Sequence, residues 1–366
     1  MNRTPRTWLI VAVLLSLFSF GFNDPDPPRG LVSPVNMTVD NNRLFVSDRV
    51  TGLHVFNIAD PVEPVFQMRI PLRSNHGTAV RGDIVYTNDG GSLLAIRVTG
   101  DSYEVVKEIK REPLFFEGSA PPIDDGGSYF ACACVTHQAS VTAPSAPAGG
   151  GSSFATFAAI DDYLYYIDGG GLVTADISIP EDPQKLSRVY VGDIETLYPT
   201  DQYLFIGGMR GMKILDRSDP AMPSVVGGVA HFRACDPVVV KDQIAFVTLR
   251  GGNQCGAAPD VLLCVDVADP YNPTVVGEKP METPYGLAID RTLLYVSSGK
   301  KGFELLDVGD PSDPVRVQAW QDRPTRDFVW QGSLLYTLTF DGLLIFDVSN
   351  PKMPVLLSEI RSGATS

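Results

Sequence analysis

Histidines and acidic residues are the side chains of this sequence with potential for acid–base or metal chemistry, and they are sparsely arranged. The chain has four histidines. None stands in a His-x-x-x-His or Glu-x-x-His spacing, which places two zinc ligands on one helix face. No Gly-x-Ser-x-Gly elbow or phosphate-binding glycine loop occurs either. The sequence therefore gives no support to a conventional hydrolase or a nucleotide-dependent enzyme.

Cysteines are the second group of residues that could take part in chemistry. The chain has five, so at least one is not in an internal disulfide. Cys235 and Cys255 flank two strand-length apolar runs, so we predict a disulfide between them at the end of a hairpin. Cys264 lies within an apolar run and is predicted to be a buried thiol. Cys132 and Cys134 are too close in sequence for an unstrained bridge, and they either pair elsewhere or stay free. No metal site is predicted, because further ligands are lacking.

An internal repeat supplies the elements that position these residues. Each copy has an apolar doublet, a turn, a Leu-x-apolar-apolar-Asp run and then Asp-Pro-x-x-Pro. The first copy contains 53–57 followed by 60–64, and the last contains 343–347 followed by 350–354. The run recurs at intervals of about 40 residues, with one interval of about twice that length. Its copies begin at Leu53, Leu93, Leu172, Met212, Leu262, Phe303 and Leu343.

A repeat of about 40 residues that contains several short apolar runs, each closed by Gly or Pro, is typical of a β-propeller blade. Helical repeats of this length show a 3.6-residue period, which is absent. We therefore predict an all-β fold, a single seven-bladed β-propeller of four-stranded antiparallel blades, over residues 31–360. The ring is predicted to close by packing of the last blade on the first. Predicted strands of the first blade, and the outer strand of the last, are 35–40, 43–47, 52–58, 64–70 and 355–360.

Four of these runs also resemble a known repeat. Residues 212–216, 262–266, 303–307 and 343–347 look like the LVIVD repeat of exported bacterial and archaeal proteins. The resemblance covers essentially the whole of 31–360, and it implies an exported β-propeller. It implies no activity, because the family has none that is agreed.

The long interval between the second and third units leaves an architectural alternative open. Residues 112–158 contain no copy of the repeat, and 141–153 consist almost wholly of Ala, Gly, Ser, Thr and Pro. Such a segment buries little apolar surface, so we predict a surface insertion, partly mobile, between the second and third blades. A degenerate eighth blade is the alternative. Two units depart from the repeat at the outer turn: the second lacks the Asp and the Pro pair, and the third has Ile-Pro-Glu-Asp-Pro at 179–183.

The amino terminus and the composition indicate the compartment. Arg3 and Arg6 precede a short apolar stretch, so we predict a signal peptide at 1–21, with an uncleaved anchor as the alternative. A linker at 22–30 and a tail at 361–366 flank the propeller. We expect a secreted protein, periplasmic or at the cell surface, with no membrane span in its mature form. The net charge of −14 disfavours nucleic acid as a partner.

A candidate site follows from the repeat, because the starts of the inner strands converge at one mouth of a propeller channel. Residues eight or nine positions before the aligned second-strand residues are polar or charged in six of the seven units. His231 and Arg233 lie on a predicted entry loop at the same mouth. Water-filled lining without a function is the alternative for this ring. The candidate ligand-binding residues are Asn36, His76, Glu195, Asp236, Tyr285, Arg326 and Asp327.

Two functions are compatible with this ring. A binding or scaffold module, monomeric, for a protein, a glycan or a small ligand at the mouth is favoured because catalytic motifs are lacking. The alternative is a metal-assisted hydrolase, lactonase or lyase that uses Glu195, Asp236 and His76 with Ca²⁺ or another divalent cation. No other cofactor is expected. Arg326 favours a carboxylate-bearing ligand unless it pairs with Asp327 or Asp236.

Overall fold

Strands dominate the computed structural model, which describes residues 30–110, 153–192, 194–230, 237–251, 259–321 and 323–362. They form seven sheets, each of four strands that are consecutive in sequence. Within the described ranges the only helix is a short 3₁₀ turn at Gly299–Lys301. The predicted class, seven antiparallel four-stranded blades, is confirmed.

The strand order within each blade follows the sequence. Blades 1 and 2 comprise β1 (Pro34–Asp40), β2 (Arg43–Asp48), β3 (Gly52–Asn57), β4 (Val65–Ile70), β5 (Thr78–Arg81), β6 (Ile84–Asp89), β7 (Ser92–Thr99) and β8 (Ser102–Ile109). Blades 3 and 4 comprise β9 (Phe157–Ile160), β10 (Tyr163–Asp168), β11 (Gly171–Asp176), β12 (Gln184–Tyr190), β13 (Ile194–Pro199), β14 (Tyr203–Gly208), β15 (Gly211–Asp216) and β16 (Ser224–Ala230). Blades 5 to 7 comprise β17 (Val238–Lys241), β18 (Ile244–Leu249), β19 (Val261–Asp266), β20 (Thr274–Pro280), β21 (Leu287–Asp290), β22 (Leu293–Ser297), β23 (Phe303–Asp307), β24 (Val315–Trp320), β25 (Asp327–Gln331), β26 (Leu334–Leu338), β27 (Gly342–Asp347) and β28 (Val355–Arg361).

The hydrophobic core lies between blades. Each of the core clusters joins two neighbouring sheets, because the inner strands of a blade carry buried side chains on both faces. The first strand of every blade contacts the first strands of the blades before and after it, which places these strands around the central channel. Met37 of β1 and Val329 of β25 share one cluster, so the last blade packs on the first. The ring closes with seven blades, and the eight-bladed alternative is wrong.

The Asp-Pro-x-x-Pro turns join neighbouring blades as well as ending strands. Within a turn, the Asp carboxylate accepts a backbone N–H two residues later, as Asp219 does from Ala221 at 3.1 Å. The carbonyl of the first proline accepts a hydroxyl from the blade before it. The four donor and acceptor pairs are Tyr86 with Pro180 (2.9 Å), Tyr165 with Pro220 (2.9 Å), Tyr295 with Pro351 (2.6 Å) and Ser358 with Pro61 (2.7 Å).

At two other junctions between blades, a glycine instead of a hydroxyl lies against the proline carbonyl. The carbonyls of Pro270 and Pro311 lie where a Cβ on Gly227 or Gly277 would stand. A side chain at either glycine would therefore push the next blade away. The repeated proline turn thus makes contact between blades, a role that its local turn chemistry does not reveal.

Blade 2 uses a different outer turn. Strands β7 and β8 are joined by Gly100 and Asp101 alone, and Gly100 has φ +56°, which favours glycine. This tight hairpin explains why the second unit needs neither the Asp nor the Pro pair. Its four strands still form a complete blade.

Most of the predicted insertion 112–158 lies outside the described residues, and so do Cys132, Cys134, Cys235 and Cys255. Residues 153–158 are described and are buried: Phe157 and Ala158 already belong to β9, and residues 153–156 are packed in the channel. Cys264 is a buried free thiol, as predicted.

Removing the hydroxyl of Tyr295 should destabilise the ring. In Tyr295→Phe the carbonyl of Pro351 loses its donor, so we expect a loss of about 1 kcal/mol in the free energy of unfolding. Tyr336→Phe is the matched control, because Tyr336 occupies the same strand position and its hydroxyl bonds to no described residue. Urea unfolding measures both variants, and equal stabilities would contradict a role for the proline carbonyl.

Acid should weaken the fold through His54. This residue is 1% exposed, and its Nε2 lies 2.6 Å from the Thr51 hydroxyl. Burial lowers its pKa from 6.5 to about 4, and the nearby Asp48 offsets this only in part. Between these pH values the unfolded chain binds a proton that the folded protein does not, so stability falls as the pH falls through this window.

Urea unfolding of wild type and His54→Gln at about pH 7 and about pH 4.5 tests this. The wild type should lose more stability between the two values than the variant does. An identical loss in both proteins would show that His54 stays uncharged in the unfolded state or protonates freely in the fold.

Candidate functional site

Strand register divides the predicted ring into two layers. In each blade we count back from the second-strand residue that pairs with the last residue of the first strand. On this count Asn36 of blade 1 is equivalent to Thr156, Thr196, Gly286 and Asp327 of other blades. Residues of this layer are buried. The layer one residue earlier contains His76, Glu195, Tyr285 and Arg326, all of which are exposed or half-buried. The accessible mouth is therefore formed by the second group.

The buried layer is occupied by contacts between blades. The Asn36 amide donates to the carbonyl of His76 at 3.2 Å. Asp327 accepts the hydroxyl of Ser153 at 2.9 Å, and its carboxylate fills the space where Gly286 would carry a Cβ. Asn36 and Asp327 are both fully buried, so these two predicted residues support the mouth from below.

Backbone hydrogen bonds between blades fix the accessible layer. The carbonyl of Arg326 accepts the N–H of Gly286 at 2.8 Å. The carbonyl of Tyr285 accepts the hydroxyl of Thr248 at 2.6 Å. Both side chains therefore extend from backbone that is held by hydrogen bonds between blades.

Two arginines and two aromatic rings form a continuous stack at the mouth, which we call the arginine–aromatic array. The guanidinium of Arg250 lies 3.7 Å from the ring centroid of Tyr285, and that of Arg326 lies 4.2 Å from that of Phe340. The two rings meet edge to face at 5.8 Å. These distances suit cation–π attraction, which is strongest where water is excluded. The array comes from three adjacent blades, the fifth, sixth and seventh.

Arg326 presents an unused edge. Its Nη1 donates to the carbonyl of Pro34 at 3.3 Å, and its Nε is buried with no hydrogen-bond partner among the described residues. The edge that includes Nε is one of the two edges through which a guanidinium can bind a carboxylate with two parallel hydrogen bonds. Burial lowers the pKa of Arg326 to about 10, and the cations of Arg49 and Arg250 act in the same direction. The group is still charged at neutral pH.

Acidic residues balance the fifth-blade side of the mouth. Burial lowers the pKa of Arg250, whereas Tyr285, Glu195 and Asp260 raise it. Asp260 accepts the backbone N–H groups of Gly251 (2.8 Å) and Thr283 (3.0 Å), which ties together two loops at the mouth. Glu195 therefore lies within the field of an arginine.

His76 is exposed on the opposite side of the mouth. Its backbone N–H donates to Asn88 Oδ1 at 3.1 Å. Desolvation, and then the charge of Arg49, lower the pKa of its ring. His76 is accordingly a neutral imidazole at pH 7 and is suited to accept a hydrogen bond.

A short segment closes the channel beneath the array, and we call residues 153–156 the strap. Ser153 and Phe154 are 1% and 4% exposed. The carbonyl of Ser153 accepts the N–H of Val238 at 3.4 Å, and that of Ala155 accepts the N–H of Leu197 at 2.6 Å. The strap directly precedes the first strand of blade 3 but bonds to blades 4 and 5, so it joins three blades.

Four of these residues were missed by sequence reasoning. Arg49, Arg250 and Phe340 lie in turns between second and third strands, which also end at the mouth but do not repeat. A basic or aromatic residue in such a turn is the sequence feature that could have identified these three residues as part of the mouth. Ser153 stands in the stretch of small residues, where composition carries no indication of burial.

Several predicted residues lie outside the described part of the chain: Asp236, His231, Arg233 and the Cys235–Cys255 pair. Among the residues that are described, no three His, Cys, Asp or Glu side chains are placed to hold a metal ion. Glu195 and His76 are both at the mouth, and their joint role with Asp236 stays a prediction.

Replacing Arg49 should raise the pKa of His76. The Arg49→Gln variant removes a charge that opposes protonation of the ring. A ¹H NMR titration resolves this easily because the chain has four histidines. Arg73→Gln is the control, since Arg73 lies nearer in sequence but does not act on His76. An unchanged pKa in Arg49→Gln would contradict the arrangement.

Comparisons with known proteins agree with this fold. The LVIVD repeat model matches residues 200–230 and 326–361. No curated protein matches the sequence. Among solved structures, a Lactobacillus plantarum protein is 12% identical with a TM-score of 0.60, over 85% of this chain and 92% of its own.

Two other solved structures that are similar to this chain are of named proteins. A periplasmic gluconolactonase of Pseudomonas aeruginosa is 11% identical with a TM-score of 0.57, over 84% of this chain and 88% of its own. BamB of Moraxella catarrhalis is 9% identical with a TM-score of 0.55, over 85% and 82%. At these identities the likeness concerns the fold alone.

In the described part of the chain, no helix has the length and hydropathy needed to cross a bilayer. The repeat model, the seven four-stranded sheets and the closed ring lead to one conclusion. The protein is a seven-bladed β-propeller, and two of its segments, 200–230 and 326–361, match the LVIVD repeat.

Proposed function

We propose that this propeller is an exported binding module of the cell envelope or the extracellular space, which captures a carboxylate-bearing ligand at the mouth. The observation that carries the proposal is Arg326. Its guanidinium is fixed by Phe340 on one face and by the Pro34 carbonyl at Nη1, and its buried Nε has no hydrogen-bond partner in the part of the chain that the structure describes. A carboxylate is the group that satisfies such an edge with two bonds.

The charge distribution supports an anionic ligand. Arg49, Arg250 and Arg326 meet at the mouth of a protein whose net charge is −14. Low-dielectric walls concentrate the field of these cations at the entrance. The turns at the opposite end carry acidic residues, five of which pair with Arg or Lys. Their acidic residues are Asp60, Glu63, Asp83, Asp101, Asp161, Asp162, Glu181, Asp182, Asp219, Asp269, Asp310 and Asp313.

Binding is favoured over metal-assisted catalysis at this mouth. A divalent cation held by Glu195 would meet the positive charge of Arg250, which already interacts with that carboxylate. Binding of a carboxylate by Arg326 involves no such repulsion between two cations. Among the structural neighbours, one is named a gluconolactonase and another BamB. Small acids, acidic glycans and acidic protein segments all present the required group.

Replacing Arg326 tests the proposal. We expect Arg326→Lys, which keeps a charge but loses the planar edge, to weaken carboxylate binding about 10- to 100-fold, the value of a charged hydrogen-bond pair. The probes are uronic, aldonic, aliphatic and amino acids at millimolar concentration, each beside its neutral alcohol or amide. Calorimetry and ligand-observed NMR measure binding.

Arg323→Lys is the matched control, because Arg323 is exposed on the loop that leads to Arg326. It should bind as the wild type does. Preference for the neutral counterparts, equal affinity in Arg326→Lys, or no binding of any acid in the panel would contradict carboxylate capture by Arg326.

A further inference from the structure

Arg49 and the guanidinium of Arg326 contact the same segment of blade 1. Arg49 directly follows β2, and its backbone N–H donates to the carbonyl of Ser33 at 3.0 Å. The next residue, Pro34, accepts Nη1 of Arg326 at 3.3 Å through its own carbonyl. Two adjacent carbonyls thus hold the backbone of one arginine and the guanidinium of the other.

Asp48 ties this segment to the turn that carries Arg49. Its Oδ2 accepts the backbone N–H groups of residues 32 and 33 at 2.7 and 2.6 Å. Its Oδ1 accepts those of residues 50 and 51, both at 2.9 Å. Asp48 is fully buried, and both of its oxygens are bonded to backbone. The acidic side chain nearest to Arg49 in sequence is therefore engaged with the backbone and does not pair with the guanidinium.

The charge of Arg49 acts on two other residues of the mouth. Burial is the main reason that the pKa of Arg326 is lowered to about 10, and Arg49 acts in the same direction. Burial also lowers the pKa of His76, and Arg49 again adds to the effect. Such charge effects weaken with distance. The cation of Arg49, from blade 1, therefore lies near Arg326 of blade 7 and His76 of blade 2.

Arg49 differs from the third arginine of the mouth in its compensation by acidic groups. The opposite charges of Glu195 and Asp260 act on Arg250. The side chain of Arg49 is exposed, and within the described ranges it forms no ion pair and no side-chain hydrogen bond. A ligand with a single carboxylate on Arg326 would leave this second cation unpaired.

We infer that the mouth selects a dicarboxylate: the Nε edge of Arg326 binds one carboxylate, and Arg49 attracts the other. This inference rests on the proposed function and names the ligand class of the same site. The buried Nε of Arg326 orients the first carboxylate through directed hydrogen bonds. Arg49 is exposed to water, so it contributes charge selectivity and a smaller part of the affinity.

The test compares linear aliphatic dicarboxylic acids of increasing length with their monoamides by calorimetry. At the length that binds best, the diacid should bind the wild type about tenfold more tightly than its monoamide. Of this ratio, a factor of about two is statistical, because either carboxylate can occupy Arg326, and about fivefold is the upper value for an exposed ion pair. In Arg49→Gln the ratio should fall to about twofold, and Arg49→Lys should keep most of it.

Arg73→Gln is the matched control for the loss of one positive charge. Arg73 is an exposed arginine on the loop that leads to His76, and its charge acts on neither His76 nor Arg326. Its ratio should stay at about tenfold, as in the wild type. Urea unfolding checks that each variant is folded.

A ratio of only about twofold in the wild type, or a larger one that survives Arg49→Gln, would overturn the inference and leave the proposed function standing. An equal fall in Arg73→Gln would also overturn it, because net charge would then explain the preference. If no diacid binds but another carboxylate of the earlier panel does, the inference alone fails. If no acid of either series binds, the inference and the proposed function are both contradicted.

Discussion

The need of each blade to bury two apolar faces is the constraint on which the rest of this structure depends. A single four-stranded sheet leaves both faces in water, and every core cluster here joins two neighbouring sheets. Seven blades meet this requirement only as a closed ring. At four junctions a hydroxyl of one blade also donates to a proline carbonyl in the outer turn of the next, which adds a polar contact between the blades.

Closure also determines which polar residues are available for function. Asn36 and Asp327, one residue deeper than the mouth, are fully buried. The Asn36 amide donates to the His76 carbonyl of blade 2, and Asp327 accepts the Ser153 hydroxyl. Arg326 and Tyr285 stand one residue earlier and keep their side chains at the opening. Residues one position apart along a strand thus differ in their surroundings: the deeper residue packs between blades, and the earlier one faces the mouth.

The repeat in the sequence was sufficient to predict the fold. The Leu-x-apolar-apolar-Asp run and the proline turns specify blade number, strand order and the mouth, and the predicted bounds of the first-blade strands lie within one residue of those observed. The division of the mouth residues into a buried layer and an accessible layer was not predictable from the repeat. Aligning blade 2 on Ile84 shifts its register, since Val85 is the residue equivalent to Leu44.

Other site features depend on contacts that no repeat encodes. Phe340 and Arg250 lie in turns that differ in every blade, and their importance arises from stacking across blade boundaries. Ser153 looks like part of a featureless stretch of small residues. Its hydroxyl bonds to Leu287 and Asp327, which are 134 and 174 positions away in sequence.

The central claim is that Arg326 offers a preformed, unoccupied edge to a carboxylate. The most direct measurement is a titration that follows its Nε–H signal by ¹H–¹⁵N NMR while an acid and its neutral amide are added in turn. The account predicts a saturable downfield shift and slower proton exchange with the acid, and no change with the amide. A signal that is indifferent to every acid, or one that responds equally to the amide, would contradict it.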